Sequence, residues 1–189
     1  MDQGFEGLLA QISNVVKLSE SDAHRFATEM YGDGIESLAD ADGLFTINFQ
    51  LAGSSPAWDR LFIAAIKDFL LVQSDPRNWV TEDETDWLID KISRGPTGPV
   101  ASEVDLLLQV IRYAEGVPER LGYFTLQMAC ERITFLGKAV AEDVERVRRA
   151  LIVPAGESSS WITASEADLL LQTNDLVAHS LNDPSWNDL

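Results

Sequence analysis

The stretch VASEVDLLLQVI, residues 100–111, decides the fold, because the chain carries two further versions of it. SLADADGLFTIN begins at Ser37 and TASEADLLLQTN begins at Thr163, so the three starts lie 63 residues apart. Stacked on one another, the segments place an aspartate in the same column: Asp42, Asp105 and Asp168. Recurrence at a fixed period of this length is typical of repeated supersecondary units.

The repeat extends to both sides of this segment. Upstream of it lie LSESD from residue 18, VTEDE from residue 80 and VAEDV from residue 140; downstream lie PAWDRLF from residue 56, PERLGYF from residue 118 and PSWNDL from residue 184. The chain therefore divides into four predicted parts: an N-terminal helix 1–17 and three related units of about 63 residues, 18–79, 80–139 and 140–189. We expect residues 1–139 to form one compact domain, to which the third unit is added.

Each unit is predicted to contain three helices. Start signals of the Ser/Thr-x-x-acid type occur at Ser19, Thr81, Ser102 and Thr163, and such a side chain satisfies N–H groups that the first helical turn leaves without partners. LFTINFQL, residues 44–51, alternates apolar and polar residues as a strand does. Its repeat partners do not alternate, so we predict a helix there as well. The predicted fold is an all-α helical bundle of three related three-helix units.

The third helix of each unit is the most apolar. In the first unit it reads WDRLFIAAIKDFLLV, which is apolar around most of its circumference and predicts a buried helix. The third unit holds only PSWNDL at this position, so we expect it to be incomplete. Either the chain is a fragment, or another element, a protein partner or a second copy covers the third unit. The predicted interaction surface comprises five residues: Leu169, Leu170, Leu171, Val177 and Trp186.

Composition restricts the class of partner. The formal net charge is −17, from 31 acidic and 14 basic residues, and such a charge repels nucleic acid and anionic membranes. The N-terminus lacks the early Lys or Arg of a signal peptide, and no apolar run approaches the ~20 residues that span a bilayer. We therefore expect a cytoplasmic protein that neither binds nucleic acid nor inserts into a membrane.

An acidic loop at residues 33–42 is the predicted metal site. Four carboxylates make up the candidate ligand set: Asp33, Glu36, Asp40 and Asp42. Oxygen-rich loops suit hard divalent cations, although Phe49 stands where an EF-hand would carry its twelfth ligand. The alternative is that Asp40 caps the helix with Ser37 and that the other carboxylates are solvated.

Signals for catalysis are weak. The chain has no nucleophile elbow and no phosphate-binding loop, and Cys130 lies in an apolar helix, where a buried, inert thiol is expected. The aspartates of the repeat are predicted to serve the first helical turn and its dipole. The basic residues between 132 and 149 lie among Glu142, Asp143 and Glu145, so local ion pairs are expected. We predict neither a catalytic residue nor an organic cofactor.

The motif VTEDETDWLIDKI, residues 80–92, is followed by a glycine-containing loop and by SEVDLLLQVIRYA, residues 102–114. This succession resembles the TerB-like tellurite-resistance family, and YGDGI at 31–35 ahead of LADADGLF is similar to its turns. The resemblance implies a compact, acidic, all-helical protein of bacterial stress responses, in which acidic clusters are suspected of binding divalent metal. The function predicted is a non-enzymatic protein-interaction module, with divalent-cation binding or sensing by the 33–42 loop as the alternative.

Overall fold

The computed structural model describes residues 21, 35, 37–51, 55–93, 98–152 and 162–189. Across these residues every extended regular element is helical, which confirms the all-α prediction. The described residues form seven α-helices: α1 (Leu38–Leu51), α2 (Pro56–Asp68), α3 (Glu82–Ser93), α4 (Ala101–Tyr113), α5 (Glu119–Leu136), α6 (Ala141–Ile152) and α7 (Ala164–Val177). A π-helical turn, Phe69–Gln73, continues α2, and a 3₁₀ turn, Pro184–Asp188, follows α7. The predicted N-terminal helix 1–17 lies outside the described residues.

The segment 44–51 is helical, as its repeat partners indicated. Leu44, Ile47 and Leu51 are buried at a spacing of three and four residues, which is the spacing that puts side chains on one face of a helix. The buried residues of this segment therefore follow the spacing of a helix and not the apolar–polar alternation of a strand.

Two of the predicted helix starts are confirmed by their hydrogen bonds. At α3, Thr81 N donates to Glu84 Oε2 at 2.8 Å, while Glu84 N donates to Thr81 Oγ1 at 3.2 Å. At α7, Thr163 N donates to Glu166 Oε2 at 2.7 Å, with the reciprocal bond at 3.2 Å. Both are reciprocal capping boxes. The corresponding cap at Ser19 lies outside the described residues.

The predicted cap at Ser102 is wrong. The helix α4 begins one residue earlier, at Ala101, so Ser102 already lies inside the first turn. Its side chain is buried and donates to Asn48 Oδ1 at 3.1 Å. Glu103 instead accepts the Val100 backbone N–H at 3.3 Å.

The helices α4 and α5 form the centre of the bundle. α4 packs against α2, α5 and α6, and α5 packs against α3, α4, α6 and α7. The largest side chains of α2, Trp58 and Phe62, are fully buried, as predicted for the most apolar helix of the first unit. Cys130 is buried in α5, which confirms the expectation for that thiol.

The helices α1, α4 and α7 begin at Leu38, Ala101 and Ala164, so their starts lie 63 residues apart. α2 and α5 follow α1 and α4, whereas α7 is followed by the 3₁₀ turn. Within the described part of the chain, the helices are either too short or too polar to cross a membrane.

Candidate functional site

The five residues of the predicted interaction surface do not lie together on one accessible face. Val177 and Trp186 are buried within the chain, and Leu169 and Leu170 are half-buried against the core. Leu171 is 62% exposed. Of the five side chains, Leu171 is therefore the one that a partner would meet directly.

Val177 and Trp186 are buried because the segment after α7 folds back onto the bundle. Asp183 N donates to the Ala139 carbonyl at 2.8 Å, and Asn182 Oδ1 accepts the Ala139 N–H at 2.9 Å. The indole Nε1 of Trp186 then donates to Asn174 Oδ1 on α7 at 3.1 Å. Part of the apolar surface of α7 is thus covered by the 3₁₀ turn that follows it.

The outward face of α7 carries a stripe at positions i, i+3, i+4 and i+7, which share one side of a helix. This α7 stripe comprises four exposed residues: Asp168, Leu171, Gln172 and Asp175. Three more large aliphatic side chains near it are also exposed by more than half: Ile162, Leu176 and Leu181. The region 162–189 therefore presents both apolar surface and negative charge to the solvent.

Two of the four matching positions of α1, Asp42 and Phe45, contact α3. Asp42 Oδ1 lies 2.7 Å from Lys91 Nζ and accepts the Trp87 indole N–H at 2.8 Å. One turn further along α1, the Phe45 ring packs edge-to-face on Trp87 with 5.4 Å between the ring centroids. An acidic and an apolar side chain of α1 thus receive a basic and an aromatic side chain of α3.

On α4, the acid at the position that matches Asp168 is likewise paired with another helix, α6. Arg146 donates to both carboxylate oxygens of Asp105, from Nε at 3.0 Å and from Nη2 at 2.8 Å. It also donates from Nη1 to Asp143 at 2.7 Å, and Asp143 accepts Arg132 Nε at 2.8 Å. Leu108, one turn beyond Asp105, is 0% exposed.

These contacts correct the role predicted for the aligned aspartates. Asp42 and Asp105 lie at the fifth residue of their helices, beyond the first turn, and each pairs with a cation of another helix. Local pairing of the basic region is confirmed for Arg146 with Asp143 and for Arg148 with Glu145. Sequence reasoning missed the cross-helix partners, although a charged residue recurring beside buried leucines was a signal for them.

The predicted cation site is described only in part. Asp33 and Glu36 lie outside the described residues. Asp40 accepts the Ser37 hydroxyl at 2.7 Å, as expected of a cap partner, and Asp42 is engaged by Lys91. Among the described residues, no three His, Cys, Asp or Glu side chains are placed to hold a metal ion. Divalent-cation binding stays a prediction, which calorimetric titration of the wild type and of Asp40→Ala with Ca²⁺ and Mg²⁺ tests.

A polar cluster joins α1, α2 and α4 inside the core. Asn48 Oδ1 accepts the Trp58 indole N–H and the Ser102 hydroxyl, both at 3.1 Å. Glu103 lies beside them, and burial raises the pKa of its carboxyl to about 7, against the opposing effect of the Val100 N–H. Because these groups are enclosed in the core, they are placed to fix helix packing rather than to meet a substrate.

A cleft of about 200 Å³ lies between α3 and α5. Ile92, Phe124 and Met128 form its apolar side, and Gln127 donates to Glu131 at 2.8 Å on its polar side. Glu131 is the one ionisable group among the lining residues. The described lining residues therefore hold no second ionisable side chain with which Glu131 could exchange a proton.

The chain matches none of the protein-family models, curated proteins or solved structures with which it was compared. The likeness to the TerB-like family accordingly rests on the sequence motifs, and the geometry of the α7 stripe is the strongest pointer to function that the described residues offer.

Proposed function

We propose that this chain is a non-enzymatic, TerB-like helical module of three related units, which acts in a bacterial stress response by binding another protein through its third unit. One observation carries the proposal. SEVDLLLQ of α4 and SEADLLLQ of α7 differ at a single position, Val104 against Ala167. Yet Leu108 is 0% exposed in α4, whereas its counterpart Leu171 is 62% exposed in α7.

Full burial of a leucine side chain is worth about 1.5–3 kcal/mol, and α4 obtains this from its neighbours while α7 does not. Ile162, Leu176 and Leu181, in the same part of the sequence, are also more than half exposed. Single exposed leucines need no explanation, but four exposed large aliphatic side chains between residues 162 and 181 favour a protein-interaction site.

The 63-residue spacing of the α1, α4 and α7 starts supports the three-unit description. Under that description, α7 is the middle helix of the third unit and corresponds to α1 and α4, in which Phe45 and Leu108, the residues that match Leu171, are buried. In α7 the matching residue is exposed, as we expect of a surface that binds another protein.

The experiment compares the wild type with Leu171→Ser and Leu176→Ser, singly and combined. We expect the wild type to bind a hydrophobic dye or to associate with rising concentration in light scattering, and the double variant to lose at least half of that signal. Leu38→Ser is the matched control, because Leu38 is a comparably exposed leucine on α1. A wild type that stays monomeric at every concentration and binds no dye would contradict the proposal.

A further inference from the structure

We propose that the α7 stripe receives an amphipathic helix of another protein, one that presents an Arg or Lys side chain to Asp168 and an apolar side chain to Leu171. This inference rests on the proposed function and specifies its partner chemistry. On α1 and α4, the acids that match Asp168 are already paired with basic residues of other helices.

The first precedent is the α1 face. There the acid is Asp42 and the apolar residue one turn on is Phe45; the covering helix α3 supplies Lys91 at 2.7 Å and the Trp87 ring. The second precedent is the α4 face. There the acid is Asp105, and the covering helix α6 supplies Arg146 in a two-point contact.

The covering helices share a pattern. On α6, Arg146 adjoins Val147, which is fully buried, and on α3, Lys91 follows Leu88, which is fully buried. In both helices a basic side chain therefore stands at the edge of an apolar stripe. An arginine that binds both oxygens of a carboxylate also fixes the relative orientation of the two side chains, which the ammonium group of a lysine does less well.

The third face is uncovered. Asp168 is exposed and, among the described residues, pairs with no cation, and Leu171 lies exposed one turn further on. The occupant is assigned to another protein because α3 and α6, the helices that fill this role inside the fold, are already packed against α5. A net charge of −17 further favours a basic partner and speeds its encounter.

The test uses a helix of this chain as the probe. A fluorescein-labelled peptide of residues 140–152, stapled into a helix on the side away from Arg146, is titrated with the full chain and followed by anisotropy. We expect saturable binding. We expect Asp168→Arg to weaken it by about tenfold, whereas Asp188→Arg, which makes the same charge change at another exposed aspartate, leaves it within about twofold.

A charge swap makes the assignment specific. The peptide carrying Arg146→Glu should bind the wild-type chain weakly and regain affinity for the Asp168→Arg chain. Absence of peptide binding, or equal effects of the two aspartate variants, would overturn the inference. In either case, a dye or self-association signal that still depends on Leu171 would continue to support the interaction module. Failure of the proposed partner chemistry can therefore be distinguished from failure of the proposed function.

Discussion

Among the described lysines and arginines, Arg146 is the residue whose replacement we expect to lower the free energy of unfolding most. It makes three charge-assisted hydrogen bonds, two to Asp105 at 3.0 and 2.8 Å and one to Asp143 at 2.7 Å. Asp143 is 1% exposed and Arg146 is 16% exposed, so water replaces little of what is lost. We consider Arg146→Met, which keeps most of the aliphatic stem and removes the charge.

These contacts set the expected loss in the free energy of unfolding. Removing one partner of a buried ion pair costs about 3–5 kcal/mol when the other charge is left uncompensated. Asp143 keeps its bond to Arg132, and Asp105 is 29% exposed and is partly rehydrated, which places the loss at the lower end. We therefore expect the free energy of unfolding to fall by about 3 kcal/mol, and the melting temperature by about 6–12 °C for a chain of this size.

The assay is urea unfolding followed by tryptophan fluorescence and by circular dichroism at one pH and ionic strength. Arg148→Met is the matched control, because it removes the same charge from the same helix but breaks only the exposed pair with Glu145. Such a pair contributes about 0–1 kcal/mol. If both variants lower the free energy of unfolding equally, the buried network does not stabilise the bundle and the reasoning fails.

Three further predictions concern the core and a helix end. The pKa of Glu103 is raised to about 7 in the folded chain, so the protonated carboxyl favours folding: its contribution is complete below about pH 4.5 and is lost as pH rises through 7. Stability measured against Glu103→Gln should accordingly fall by about 2–3 kcal/mol between pH 4.5 and 8, and a difference that does not change with pH would contradict this. Burial raises the pKa of the Cys130 thiol to about 11, so an aromatic disulfide reagent at pH 8 should react with it only after unfolding; rapid labelling of the native chain would refute that. Gly137 ends α5 at φ +69° with no heavy atom within 4 Å of an added Cβ, so Gly137→Ala should cost about 1 kcal/mol through backbone strain alone, and Gly137→Asn should cost less in the same urea assay.

The helices were predictable because their signals are local. The capping boxes at Thr81 and Thr163 need only residues three apart, and the burial of Trp58 and Cys130 follows from the apolar surroundings of each along its own helix. Residues 44–51 could be assigned to a helix only by comparison with the repeat partners, since their own alternation indicated a strand.

The site was less predictable, because it depends on which helices touch. The hydroxyl of Ser102 reaches Asn48 across 54 residues of chain, and Arg146 reaches Asp105 across 41. No pattern among neighbouring residues predicts either of these contacts. Trp186 was placed on an open surface for the same reason: its burial results from the return of the chain to Ala139, which residue spacing alone does not reveal.

The contacts of α5 have a consequence for how the molecule comes apart. This helix packs against α3 and α4, which precede it in the chain, and against α6 and α7, which follow it. The sequence pattern divides at residue 139, but the packing does not, because removing residues 140–189 would expose the surface of α5 that α6 and α7 cover. We expect fluorescence, circular dichroism and amide exchange to report one transition, in which residues 140–189 do not unfold before the rest.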